Sequence, residues 1–136
     1  MIRKSKSCLL ISSNTNDQMI FMDALNTVAP DTFFLLAYDG TEALEIMKEE
    51  CIRPDFVFVE LDVPGIDAFQ FLKDIKKLKF QSNVPVIVHS AEPVEHKVLA
   101  LREMGAFGIY FKPYNYHGVC NILNLYFMQG FKNNSN

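Results

Sequence analysis

Cysteine is scarce in this 136-residue chain: Cys8, Cys51 and Cys120 are odd in number, widely spaced and form no C-x-x-C pair. That excludes a disulfide framework and a zinc-binding pattern, and it is the usage expected of reduced packing residues in a cytoplasmic protein. Positive charge is in slight deficit, 13 Lys and Arg against 16 Asp and Glu. A net charge of −3 with only 21% charged residues excludes a general binder of nucleic acid, because affinity for a phosphate backbone needs clustered Lys and Arg. Arg3, Lys4 and Lys6 form one basic cluster, read as a solvated tail. The apolar stretch behind it, Cys8 to Ile11, is too short for the core of a signal peptide. No run approaches the roughly 20 apolar residues of a membrane span. His89, His96 and His117 show no metal-ligand spacing, and no Ser-His-Asp order or Cys-His pairing suggests hydrolysis, so the chain does not read as an enzyme. His89, inside an apolar run, is expected to be a hydrogen-bonded packing residue. There is no internal repeat, linker or low-complexity segment apart from a polar end, Lys132 to Asn136.

What is present is an ordinary globular composition, 49% hydrophobic, in a length that suits a single domain over residues 1–136. Apolar runs alternate with helix-period stretches. The expected strands are Ser7 to Ser12, Phe33 to Ala37, Phe56 to Glu60, Val84 to Ser90 and Gly108 to Lys112. Between them, Asn16 to Val28 reads as a helix with Asn14, Thr15 or Asn16 as N-cap. Thr41 is the expected cap of a second helix striped by Ala43, Leu44, Met47 and Cys51. Phe69, Leu72 and Ile75 mark a third, and Val94, Val98, Leu101 and Met104 a fourth that stops at Gly105. Val119, Ile122, Leu123 and Tyr126 stripe a fifth. Strands apolar on both faces and separated by helices predict an α/β fold. Its form is a flavodoxin-like, three-layer (βα)5 doubly wound sandwich whose five-stranded parallel sheet has the order 2-1-3-4-5. A crevice lies at the carboxyl ends of strands 1 and 3 in such a sheet.

Glu60 closes the run Pro54-Asp55-Phe56-Val57-Phe58-Val59-Glu60, where it faces that crevice. The turn-rich loop Leu61-Asp62-Val63-Pro64-Gly65-Ile66-Asp67 follows, and downstream lie Val86-Ile87-Val88-His89-Ser90-Ala91 and Gly108-Ile109-Tyr110-Phe111-Lys112-Pro113. Together these resemble the receiver domain of two-component response regulators, which pattern as P-D-(four apolar)-D-x-x-M-P-G-x-D-G. A strand ending in Thr/Ser-Ala and a strand ending in Lys-Pro then follow. The resemblance covers residues 7 to 128 and implies a stand-alone receiver.

In that family a strand-3 aspartate accepts a phosphoryl group, and a pair of acids after strand 1 holds Mg²⁺. A Thr/Ser after strand 4 and a Lys after strand 5 contact the phosphoryl oxygens. The matching positions here are Glu60, Ser12 with Ser13, Ser90 and Lys112. The hydroxyl and the ammonium remain, the acceptor is altered and the metal acids are replaced. Two serine hydroxyls are poor ligands for Mg²⁺, a hard ion that prefers carboxylates and sheds water reluctantly, so Mg²⁺ binding is expected to be absent or weak and no other cofactor is implied. An intact site balances three acids and a lysine with the divalent ion; here Glu60 and Lys112 balance each other. Glu exceeds Asp by one C–C bond, about 1.5 Å. Its carboxylate is therefore expected to reach Lys112 and Ser90, as a permanent mimic of the phosphorylated form or as the remnant of drift. Asp62 is the alternative acceptor for a working but atypical receiver. The family's aromatic switch, three positions before the Lys, falls on Ile109, with Tyr110 beside it on the opposite face of the strand. The family's cis Lys-Pro bond is expected at Lys112-Pro113, X–Pro being the junction where cis is least disfavoured.

From Pro113 to Phe131 there is no Asp, Glu, Lys or Arg, while Tyr114, Tyr116, Tyr126, Phe127, Met128 and Phe131 crowd the segment. Excess aromatic and Met surface of this kind marks contact sites. The resemblance implies the same face, helix 4–strand 5–helix 5, for a homodimer or for a partner such as a histidine kinase or another regulator. Leu99, Tyr110, Tyr126 and Phe127 are the expected contact residues, with Tyr126 or Phe127 turned outward because neighbouring helix positions lie about 100° apart. A remote alternative is flavin binding by Ser12-Ser13-Asn14-Thr15-Asn16, although this loop lacks the glycine that lets backbone amides approach a phosphate.

Overall fold

The structure, a computed structural model, describes residues 6–49, 53–78, 83–92, 95–113 and 115–130. Arg3, Lys4, Cys51, Val94, Tyr114, Phe131 and the polar end at Lys132 to Asn136 lie outside the described residues. Five strands alternate with helices: β1 Ser7–Ile11, α1 Thr15–Val28, β2 Phe33–Ala37, α2 Gly40–Glu49, β3 Phe56–Glu60, α3 Ala68–Ile75, β4 Val86–Ser90, α4 Glu95–Glu103, β5 Gly108–Phe111 and α5 Tyr116–Asn124. The last helix continues as a π-helical stretch, Leu125–Gly130. All strand pairs are parallel, in the order β2-β1-β3-β4-β5. Among the described residues no helix is long and apolar enough to cross a membrane.

Strand residues alternate between two cores, as a side-chain period of two requires. Leu9, Ile11, Val57, Val59, Val86 and Val88 pack against α2, α3 and α4 through Met47, Phe71, Leu72, Ile75 and Leu101. Cys8, Leu10, Phe56, Phe58 and Ile87 face α1 and α5 through Phe21, Ala24, Leu25, Leu123 and Phe127. Burial on both faces is why β1, β3 and β4 are continuous apolar runs. Cys8 and Cys120 are free thiols inside this packing.

The local signals differ from expectation by a residue or two, each for a chemical reason. β4 begins at Val86, after Pro85, which has no N–H to give the ladder, although the Pro85 carbonyl still accepts from Val57. Asn14 is the N-cap of α1, its side chain accepting from the Asp17 N–H. For α2 it is Asp39 and not Thr41 that serves: its carboxylate accepts from the Glu42 N–H at 2.8 Å, and the helix already starts at Gly40. Gly105 follows α4 at φ +103°, a left-handed conformation that suits the end of a helix.

The last helix departs most from expectation. Phe127 is 6% exposed and packs its ring 4.9 Å from that of Phe56. Tyr126 also faces inward, against Phe56, Phe58 and Phe107, and lies so close over Gly108 that a Cβ there would collide with it. The expectation that one of the two points outward is therefore overturned. A π-helical turn is wider than an α-helical one, so successive residues are closer in azimuth and both rings reach the sheet. The outward positions are Leu125 and Met128, 44% and 59% exposed.

Candidate functional site

The carboxyl ends of the strands converge because parallel pairing puts Ile11 beside Val59, Glu60 beside His89, and Ser90 beside Phe111. The chain leaving each strand then carries Ser12, Glu60, Ser90 and Lys112 to one edge of the sheet. At that edge the Lys112 ammonium sits between two carboxylates. It donates to Glu60 Oε2 at 3.4 Å and to Asp17 Oδ2 in a shorter contact. The three side chains are only 16%, 22% and 24% exposed for Lys112, Glu60 and Asp17. Partial burial by itself lowers the affinity of Lys112 for its proton; the hydrogen bond to Asp17 and the charges of Glu60 and Asp17 outweigh it and hold the pKa above the ordinary lysine value.

Asp17 is the residue that sequence reasoning missed. It stands in the first turn of α1, where an acid also suits the helix dipole, and that local explanation hides its distant partner. The balanced pair of the sequence thus becomes a trio with one net negative charge.

The serines are engaged locally. Ser12 is buried, and its hydroxyl accepts from the Asn14 N–H at 3.2 Å, while the Gln18 side chain donates to the Ser12 carbonyl at 2.7 Å. Ser13 is half-buried beside it. Ser90 uses its single proton on the Glu92 carbonyl at 2.9 Å and accepts from the Glu92 N–H at 3.1 Å. Its proton is therefore committed to the loop and not to the Glu60 carboxylate, contrary to expectation, because a hydroxyl two residues before a free N–H closes such a turn cheaply. Asp62 is exposed in the loop after β3. The Lys112–Pro113 bond is trans, not cis; X–Pro isomers differ intrinsically by only about 0.5–1 kcal/mol, so their surroundings decide between them.

Ile109 packs into the core on the α2–α4 side, and Tyr110 turns to the α1–α5 side. Tyr110 is no outward contact residue: its ring stacks on His89 at 5.5 Å and 12°, and burial pushes its hydroxyl pKa upward. His89 corrects another expectation. It is 6% exposed, and neither ring nitrogen has a hydrogen-bond partner among the described residues. Burial, reinforced by the Lys112 charge and offset in part by Asp17, lowers its pKa to about 4, so the imidazole is neutral at neutral pH. The exposed apolar residues around α4, β5 and the final turns are Leu99, Phe111, Leu125 and Met128, with Leu99 70% exposed. Among the described residues no group of three or more His, Cys, Asp or Glu side chains is placed to hold a metal ion.

The model of the response regulator receiver domain matches residues 9–124. This chain belongs to that family. The receiver is 30% identical over 126 residues to the probable C4-dicarboxylate response regulator DctR of Bacillus subtilis, covering 93% of this chain and 54% of DctR. It therefore spans about half the length of that relative. It is 26% identical over 111 residues to sporulation initiation phosphotransferase F of Bacillus subtilis, covering 82% of this chain and 85% of that one. Among solved structures, the Mn(2+)-bound form of response regulator Rcp1 superposes with a TM-score of 0.81 at 22% identity, over 91% of this receiver and 96% of Rcp1. The phosphorylated cyanobacterial phytochrome response regulator RcpA gives 0.82 at 20% identity, over 93% and 96%. At these identities the two structures share the fold with the receiver.

Proposed function

We infer that this receiver of two-component signalling works by protein contact without aspartyl phosphorylation, as a pseudo-receiver held in one charge state. The observation that carries this reading is the clamp on Lys112. Its ammonium is taken by Glu60 and Asp17, while Ser12 and Ser13 occupy the positions where the family holds its metal acids. A phosphoryl group arriving here meets a cluster with one net negative charge, and the lysine that would receive it is already paired.

The donor set does not fit Mg²⁺ either, since Glu60 and Asp17 share Lys112 and the serine hydroxyl at Ser12 is bonded to the backbone. Glu60 reproduces only half of a phosphorylated site. It engages the lysine, but the Ser90 proton stays on Glu92. The name of DctR, a response regulator, and the match to a receiver suggest a histidine kinase or another regulator as the natural partner class. The exposed Leu99, Phe111, Leu125 and Met128 supply an apolar contact face.

The test is acetyl phosphate with Mg²⁺, read by intact mass and by melting temperature. The expected result is no added phosphoryl mass and no Mg²⁺-dependent shift. A stable adduct mapped to Asp62 or Glu60 would refute this reading and establish a working receiver.

A further inference from the structure

Below the Lys112 clamp, on the α1–α5 side of the sheet, lies a cavity of about 240 Å³. Its apolar lining comes from Leu10 of β1, Ile20 and Phe21 of α1, Tyr110 of β5, Val119 of α5, and Pro113. Its polar lining is Ser12, Asn14, Asn16, Asp17, His89 and Lys112. At about 30 Å³ per water in the liquid, the space suits a molecule on the order of ten non-hydrogen atoms.

The partners already taken decide what chemistry is left for a ligand. Lys112 has its carboxylates and Asp17 has its cation. The Ser12 hydroxyl is bonded to Asn14, and the Asn14 side-chain oxygen accepts from the Asp17 N–H. What remains unpaired among the described residues of the lining is uncharged, and chief among it is the His89 imidazole, 6% exposed with neither nitrogen partnered by a described residue. A buried polar group left without a bond is destabilising, and the cavity that His89 lines is the direction from which a partner can come. His89 is one of the residues that line the cavity, and a ligand engages its nitrogens once the ring turns from its stack on Tyr110. An anion entering here meets a cluster of net negative charge, whereas a cation competes with Lys112 for carboxylates already bonded to it.

We propose that this cavity is a binding site for a small uncharged amphipathic molecule, a ring-sized apolar body carrying a hydrogen-bonding head that engages His89. Its walls include the first turn of α1, the end of β5 and the first turn of α5, so occupancy acts on the elements that carry Asp17 and Lys112. The proposal is independent of whether the receiver accepts a phosphoryl group.

The experiment uses isosteres that differ in charge: benzamide, benzoate and benzylamine, with toluene and inorganic phosphate alongside. Each is titrated into the full chain while backbone amide signals are followed by NMR. Benzamide is expected to shift the signals of Leu10, Phe21, His89, Tyr110 and Val119 together, with a Kd of about 1 mM, ordinary for a ligand of this size. Benzoate, benzylamine and phosphate should bind at least about tenfold more weakly. Val119→Phe fills the cavity and should weaken benzamide by at least about tenfold while the far-UV spectrum is kept; Ile20→Phe, from the opposite wall, serves if that variant does not fold. In His89→Leu the preference for benzamide over toluene should disappear. The proposal is overturned if benzamide leaves these signals unmoved, if benzoate or benzylamine binds as well, if the folded cavity-filling variant keeps full affinity, or if the preference survives without His89. Binding by phosphate at Glu60 and Lys112 alone, with no benzamide effect, would overturn this inference, whereas the phosphorylation-free reading falls only to a covalent adduct from acetyl phosphate. Loss of benzamide binding alone would leave the latter standing.

Discussion

Replacing Lys112 by Met tests the charge cluster most directly. The substitution keeps an unbranched, apolar stem of comparable length and removes the cation that pairs with both Glu60 and Asp17. Two carboxylates, each about three-quarters withdrawn from water, are then left side by side without a counter-charge. Breaking a fully buried pair by removing one partner costs about 3–5 kcal/mol, and the residual solvation here reduces that to about 2–4 kcal/mol. In a domain of this size the loss corresponds to a fall of about 10 °C in melting temperature. The pH dependence carries the argument further. In the wild type the Lys112 pKa is raised, so its stabilisation is fully present below the unfolded lysine value of 10.5 and is lost only as pH rises through the higher folded value. Adding Asp17→Asn to Lys112→Met should restore part of the stability, and the double-mutant cycle gives the coupling. Urea denaturation of the four proteins across pH measures all of this. A Lys112→Met protein as stable as wild type at neutral pH would mean that the lysine is solvated, and the clamp would no longer support a locked state.

His89 should also leave a signature in acid. Its folded pKa of about 4 lies below the unfolded 6.5, so the unfolded chain takes up the proton first and stability falls between those values, by roughly 3 kcal/mol before levelling. In His89→Leu that component should vanish from urea denaturation between pH 6.5 and 4; an unchanged acid limb would show the imidazole to be hydrated. Phe127→Glu places a charge in the core and should unfold the domain by circular dichroism. A Leu125→Glu, Met128→Glu pair should keep the fold and weaken any self-association or partner capture measured by sedimentation, and loss of fold in that pair would move those residues into the core.

Much of this was legible because sheet and helix periods write themselves into the chain. The alternation of Leu9 and Ile11 against Cys8 and Leu10 announces a strand with two buried faces, and the strand ends then fix where Glu60, Ser90 and Lys112 emerge. The pairing of Asp17 with Lys112 was not legible, since it joins positions 95 residues apart and the aspartate already has a local reason to stand in the first turn of a helix. The commitment of the Ser90 proton to Glu92 was hidden because a short polar side chain has several partners in reach and only the backbone path chooses among them. The inward turn of Phe127 was hidden by assuming an α-helical phase where the chain runs as a π-helix. The surroundings of His89 are hidden for a related reason: its place in β4 follows from the strand pattern, but whether a donor lies opposite depends on Tyr110, which stacks there instead.

The packing of α1 against α5 has a consequence for how the protein is made. Leu123, Tyr126 and Phe127 complete a layer whose other half, Phe21, Phe56 and Phe58, is synthesised much earlier. Tyr116 at the start of α5 shares a hydroxyl–hydroxyl hydrogen bond with Thr27 in α1. A nascent chain that has emerged only as far as Lys112 owns all five strands but has nothing to cover that aromatic face. These long-range contacts form late during synthesis, and until α5 arrives the apolar surface is open to other chains. Helix α5 is thus the keystone of the layer begun by α1 and β3, and a ribosome stalled before α5 displays an adhesive form of this domain.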